Sequence, residues 1–340
     1  MSIFLNVFLK TFAIFISISL IIIITIVTAN FIESETKNEF LLLSGELDSA
    51  NTIAIIELNG LIIEKTGNFS DITNPFIISP SKIKKYLENL KSFSPKVIIF
   101  SINSPGGTVS ASKNFYDIIA DYKKNNDTEI LFHTNELLAS GGYWASTSAD
   151  GIYASYGSII GSIGVKGPDW FYYDEPTSIS TGIFGNNIET KKGIKVFSNK
   201  AGKSKDILNP FRKPEMYELE HLQEMVNDIY DEFVRVVSKE RKIEIKNIKN
   251  NIGALIYTTK KAIQLNLIDD QISLDNLISK IIKEKNFQNY KIIKRNIPKT
   301  NFLEQILQNN NYTELKNIKY ECLSLRSSIS AILSYSSTGC

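Results

Sequence analysis

Cysteine and histidine are nearly absent from this sequence, with two of each in 340 residues. Both cysteines, Cys322 and Cys340, fall at the very end of the chain without C-x-x-C spacing, which excludes a cysteine-built metal framework. Spacing alone does not pair them, and they read as two ordinary thiols outside the folded region. Charge of one sign is lacking as well. Lys+Arg 38 against Asp+Glu 36 leaves a formal +2, and no basic block is interleaved with aromatics. That balance excludes a polyanion-binding field, so no nucleic-acid partner is expected. Long apolar runs are lacking beyond the first thirty residues, which limits the chain to one membrane segment.

That one run is Thr11 to Ala29, TFAIFISISLIIIITIVTA, without a charge, in an apolar stretch that begins at Ile3. Nineteen residues at about 1.5 Å each come close to a hydrocarbon core of about 30 Å. A cleaved signal peptide has a shorter apolar region and small residues at its cleavage site, and Val27-Thr28-Ala29 is a poor version of that site. An uncleaved anchor in contact with the bilayer through residues 3–29 is therefore expected. Lys10 precedes the run while Glu33 and Glu35 follow it, so the remaining chain is expected outside the cytoplasm.

Beyond the anchor (residues 1–30), residues 31–50 read as a polar tether, 51–284 as one α/β domain and 285–340 as a tail or small appendage. Thr52 to Ile62 is a β-branched run with a turn signal at Asn59-Gly60. Ser81 is placed as the cap of a helix with Ile83, Tyr86, Leu87 and Leu90 on one face. The run from Lys96 to Asn103 is near-continuously apolar, as in a parallel strand buried on both faces. A helix from about Ser110 to Tyr122, a strand from Glu129 to Asn135 and a helix opening at Leu138 continue the alternation. Strand, turn and helix in repetition predict an α/β domain with functional groups at the strand ends. Later, Leu219, Leu222, Val226, Ile229, Phe233 and Val237 hold a 3–4 spacing on a long amphipathic helix.

Two glycine-rich turns follow apolar strands. In Asn103-Ser104-Pro105-Gly106-Gly107 the glycines permit positive φ and bring bare N–H groups to a strand end, which suits an anion or oxyanion. The ordinary meaning of Pro-Gly-Gly is a turn and nothing more. In Ala139-Ser140-Gly141-Gly142-Tyr143-Trp144, a serine stands at the entry to a helix, where it is either an N-cap or an outward-facing nucleophile beside free N–H groups. A nucleophilic serine needs a base. His133 lies in an apolar strand and His221 among Glu218, Glu220 and Glu224, and neither has the setting of a triad histidine. Lysine is the other base, provided an apolar site disfavours its charge. Lys200, Lys203 and Lys205 are the candidates, and by composition alone they read as a solvated basic loop.

With these motifs in order, the chain resembles the signal peptide peptidase A family of membrane-bound bacterial serine proteases, in its short form with one catalytic repeat per chain. The segments IELNGLI near Ile56, INSPGG at Ile102–Gly107, ASGGYWASTSADGIYA at Ala139–Ala154 and GSIGV at Gly161–Val165 carry the resemblance. GKSKDILNPFR at Gly202–Arg212 and IYTTKKAIQLNLID at Ile256–Asp269 extend it to roughly residues 52–280. It implies a crotonase/Clp-like fold of repeated ββα units behind the single transmembrane helix. It implies Ser140 as nucleophile and Lys205 as general base, with Lys203 taking that place if the alignment slips by two. The oxyanion would be held by backbone N–H of Gly107, or Gly106, and of Gly141. No cofactor or metal is implied. Substrates would be cleaved signal peptides and other unfolded apolar segments. The enzyme would be a homo-oligomer whose serine and lysine meet across a subunit boundary, on the extracytoplasmic side of the bacterial inner membrane. The stretch from Lys166 to Asn187 departs from the family pattern without touching either catalytic position. The readings from other classes are an acyl-CoA enzyme of the crotonase type, a Clp-type peptidase with a histidine base, and a membrane-tethered scaffold that leaves the dyad unused.

Overall fold

The computed structural model describes residues 2–34, 40–64, 76–174, 178–181, 186–189 and 199–296. Cys322, Cys340, the appendage beyond residue 296 and the lysines at 191, 192 and 195 lie outside them. The chain opens with α1 (Ser2–Ser34), in which Leu5–Thr25 is long and apolar enough to cross a membrane, at mean hydropathy 2.6 with none of it buried. Then come β1 (Phe40–Gly45), β2 (Thr52–Asn59), β3 (Leu61–Ile62), β4 (Ile77–Ile78) and α2 (Pro80–Leu90). They are followed by β5 (Val97–Asn103), α3 (Val109–Asn125), β6 (Glu129–Thr134), β7 (Leu137–Ala139), α4 (Gly141–Ser146), β8 (Gly151–Ala154) and β9 (Ile159–Gly161). A hairpin of β10 (Ser178–Thr181) and β11 (Asn186–Glu189) precedes α5 (Met216–Arg241), α6 (Ile245–Asn247), β12 (Ile256–Thr258) and α7 (Thr259–Gln264). The described part closes with β13 (Asp270–Gln271), α8 (Leu274–Glu284) and β14 (Lys291–Arg295).

The main sheet has the order β1-β14-β2-β5-β6-β8-β13 and is parallel except for β1. Its central strands are apolar over most of their length because both faces are covered. Ala54, Ile56, Ile98, Phe100, Ile130 and Phe132 face α2, α3, α4 and α5, while Ile53, Ile55, Val97, Ile99 and Leu131 meet Leu277, Ile278 and Ile281 of α8. Three rings lock the first face, with Phe100 and Phe132 at 5.0 Å and Phe115 of α3 at 5.9 and 5.8 Å from them. Short strands at the carboxyl ends of the long ones form a second layer, with β9 between β7 and β12, and β3 beside β4. Long strand, short strand, helix recurs as β6-β7-α4 and as β8-β9 before α5, the ββα repeat expected from the resemblance. The α/β class therefore holds.

Four local expectations change. Ser79, not Ser81, stands at the N-cap of α2, because Pro80 occupies the first helical turn, where its missing N–H costs nothing. Leu138 and Ala139 belong to β7, and the helix begins only at Gly141. The tether expected over residues 31–50 contains β1, and the tail expected from residue 285 contains β14, which lies between β1 and β2. The sheet therefore draws on residues 40 to 295, beyond both expected domain boundaries. The apolar stripe of α5 divides. Phe233 stacks on Trp144 at 4.4 Å and Val237 is buried, whereas Leu219 is 41% exposed.

Truncating Phe132 to alanine removes the ring shared by both of its partners. The expected cost is about 3–5 kcal/mol, read as a lower urea midpoint with an unchanged m-value.

Candidate active site

Strand β5 ends in Ser104-Pro105-Gly106-Gly107, and side chains set this turn rather than loop flexibility. Buried Ser104 donates its hydroxyl to Gly60 O at 2.7 Å and accepts from Gly106 N at 3.1 Å. The carboxamide oxygen of Asn103 accepts from Thr134 Oγ1 and from the N–H groups of Asn135 and Glu136, tying the ends of β5 and β6 together. Backbone bonds from Ser104 N to Leu137 O, Ala139 N to Ser104 O and Ile62 N to Gly106 O draw the short strands against the turn.

The approach leaves no room for side chains at three glycines. A Cβ on Gly107 would fall 1.8 Å from Ile62 O, and one on Gly141 would fall 2.0 Å from Ser112 Oγ and 3.3 Å from Gly107 N. Gly106 has φ +108, and its Cβ would lie 2.8 Å from Gly141 N and 3.0 Å from Ser140 Oγ. The serine, Gly106, Gly107 and Gly141 are thus brought to one spot. The N–H of Gly106 is already committed to Ser104, whereas those of Gly107 and Gly141 have no partner among the described residues.

Ser140 occupies the N-cap position of α4 without acting as a cap. Its φ is 51 and ψ −125, and its hydroxyl makes no capping hydrogen bond and has no partner among the described residues. A non-glycine residue at such a φ is strained, and strain of this kind collects at functional turns. The turn holds because its neighbours are fixed. Ser140 N donates to Gly161 O at 2.9 Å, Tyr143 is fully buried and donates to Leu267 O at 2.9 Å, and Trp144 is stacked on Phe233. Ser162, which sequence reasoning passed over, follows Gly161 directly and also has positive φ, at 56. The glycines flanking it in GSIG were the available signal.

The histidines are placed elsewhere. His133 is fully buried in β6, with Nε2 3.0 Å from Ile272 O and no bond to Ser140. Burial lowers its pKa, against smaller opposing effects of the Ile272 carbonyl and Asp275, and so favours the neutral ring. His221 lies on the exposed first half of α5.

The three lysines have different surroundings. Lys200 pairs with Asp206 at 2.5 Å, and Lys203 lies over the Tyr217 ring at 3.7 Å. Lys205 is exposed and has no side-chain partner among the described residues, Ser140 included. Its loop is nevertheless clamped. Arg212 donates to both carboxylate oxygens of Asp206 at 3.0 and 3.1 Å and to both of Glu218 at 2.7 and 2.8 Å. Trp170 lies under the guanidinium and donates Nε1 to Asn209 O at 3.0 Å, while Tyr173 N donates to Pro210 O. The aromatic loop that departs from the family pattern is therefore the support of the lysine segment. Arg212, then Lys200, hold Asp206 at about 2, and Arg212 holds the buried Glu218 at about 2.

Both carboxylates have folded values below their unfolded ones of about 4, so their contribution to stability is full above that range and is lost as pH falls towards 2. The emission of Trp170, taken as wild type minus Trp170→Phe, should change between about pH 4 and 2. In Arg212→Ala the same change should already be present at neutral pH.

Comparison with known proteins finds proteases. Residues 123–288 match peptidase family S49. A protein of Methanocaldococcus jannaschii named as a protease is 32% identical over 203 residues, covering 60% of this chain and 60% of that relative's length. A protein of Enterococcus faecium named as a signal peptide peptidase SppA is 28% identical, covering 77% of this chain and 72% of the relative. Protease 4 of Salmonella typhi is 26% identical over 74% of this chain and 39% of its own length. Among solved structures, a lysine-to-alanine mutant of the 1510-N membrane-bound stomatin-specific protease with a substrate peptide aligns at TM-score 0.45 and 13% identity, over 76% of this chain and 96% of that one. Residues 123–288 thus match peptidase family S49, and the chain is similar over about three quarters of its length to relatives named signal peptide peptidase SppA and protease 4.

Proposed function

We propose that this chain is a membrane-anchored serine endopeptidase in which Ser140 is the nucleophile, Lys205 the general base, and the N–H groups of Gly107 and Gly141 the oxyanion donors. The observation that carries it is the hydroxyl of Ser140, which caps nothing and has no partner among the described residues, held on a strained turn beside two N–H groups that likewise have none there. A capping serine would have spent that hydroxyl on the helix. Gly106 is excluded as a donor because its N–H already serves Ser104.

The neutral amine of Lys205 takes the proton of Ser140 Oγ as that oxygen attacks the peptide carbonyl carbon. The carbonyl oxygen becomes an oxyanion between Gly107 and Gly141. Collapse breaks the C–N bond, the protonated lysine delivers the proton to the leaving amine, and an acyl ester remains on Ser140. Water, deprotonated by the same amine, hydrolyses the ester and restores the serine.

An exposed lysine is a poor base, since water favours its charged form. One chain therefore supplies the nucleophile and the oxyanion donors but leaves the base unfinished. The exposed apolar residues Met216, Leu219 and Met225 on α5 stand beside the lysine loop, through Tyr217 and Glu218. A second copy laid over them would dry the lysine and bring it to a serine, so the working form is a homo-oligomer with shared sites. Anchored by α1, the enzyme takes signal-peptide remnants and other unfolded apolar segments on the extracytoplasmic side of the inner membrane. Of the three lysines, Lys205 is chosen because Lys200 and Lys203 already have partners.

Peptide hydrolysis by the purified full-length protein tests the assignment. Ser140→Ala and Lys205→Ala should each lower kcat by roughly 10⁴-fold or more, and Lys203→Ala should leave it within about threefold. Turnover retained in Ser140→Ala removes the serine from the mechanism. Loss in Lys203→Ala with activity kept in Lys205→Ala moves the base by two residues.

A further inference from the structure

The active site leaves one apolar surface unexplained, at the opposite end of the chain. Strand β1 is the edge of the main sheet and carries Leu41, Leu42 and Leu43, exposed by 49%, 41% and 59%. Leu47, in the turn after it, is 71% exposed. Only Phe40 is inside, at 5.8 Å from the ring of Phe93. The register with β14 shifts between Leu42 and Ser44, so Leu43 has no partner residue and stands clear of the ladder. Edge strands are normally blunted by charge or proline, and a leucine run on one invites a covering surface.

We propose that β1 and the turn at Leu47 dock on the lipid bilayer that α1 enters, seating these leucines at the boundary of headgroups and acyl chains. The length of chain names the occupant. Ile32, the last apolar residue of α1, is eight residues before Phe40. The six Cα–Cα steps from Ser34 to Phe40 reach no further than about 22 Å. Whatever else the protein meets, its β1 edge is held within reach of the surface that receives the helix. Docking there would fix the height of the catalytic domain above the membrane, where membrane-retained peptides present their ends. The inference rests on α1 being an anchor and is independent of which residues perform hydrolysis.

The test uses the full chain, with Cys322 and Cys340 replaced by serine, reconstituted in vesicles of phosphatidylcholine and phosphatidylglycerol. A bimane label is placed through Leu43→Cys, through Leu47→Cys as a second reporter, or through Asp270→Cys on β13 at the opposite edge of the sheet. The expected result is loss of emission at the first two positions when the lipid is brominated near its carbonyls, with protection from aqueous iodide. The label at position 270 should show the reverse. Iodide quenching at positions 43 and 47 in a chain that floats with the vesicles overturns the docking surface and leaves the anchor standing. Protection from iodide without quenching by brominated lipid also overturns it, since protein would then cover the strand. A chain that does not float overturns anchor and docking together, and the effect of Ser140→Ala on hydrolysis is unaffected by any of these outcomes.

Discussion

The structure depends on how closely three strand ends approach one another with no side chain between them. Gly107 lies under the carbonyl of Ile62, Gly106 against Ser140, and Gly141 against Ser112, each at a separation that a methyl group would violate. The hydrogen bonds that join β3, the turn after β5, and β7 run through the same few residues. A long parallel sheet can be built without such contacts. The second layer of short strands cannot, and the second layer is what aims Ser140. Glycine is required here by distance first and by φ only at Gly106.

This constraint explains why some of the chain was legible in its sequence and some was not. The two glycine turns were, because Pro-Gly-Gly and Ser-Gly-Gly after apolar runs leave few other conformations. So were the central strands, whose near-continuous apolar residues in VIIFSI demand cover on both faces. Strand β7 was hidden, since three residues of Leu137–Ala139 carry no period. Strands β1 and β14 were hidden for a different reason. Leu41 to Leu43 sit among polar residues, and Lys291 to Arg295 alternate weakly, so only pairing with each other and with β2 makes them a sheet. Local pattern records burial, and these strands owe their existence to long-range partners. The stripe on α5 was read correctly as apolar, but a stripe does not say whether its own chain covers it.

Lys205 and its neighbours show the same limit for the site. By composition Lys200, Lys203 and Lys205 are equivalent. Asp206 and the Tyr217 ring separate them, occupying the first two and leaving the third open. Arg212 holds the segment by filling two carboxylates at once, and Glu218 accepts in addition from Glu215 N at 3.0 Å. A planar fork suits two carboxylates better than an ammonium would. The loop is thus fixed in place without its candidate base being desolvated, and position and protonation are supplied by separate parts of the molecule.

That separation bears on assembly. A lysine buried within its own chain would have to lose its charge at the moment of folding, which is costly. A lysine left in water until a partner arrives meets that cost only when the partner's apolar surface is also being buried. The first half of α5, with Leu219 and Met225 exposed, joins the lysine loop through Tyr217 and through Glu218. The surface that lacks cover and the amine that lacks a dry pocket are therefore neighbours. One contact would remedy both, and the apolar area gained would offset the desolvation of the amine. A peptidase arranged in this way would be inactive as a single chain.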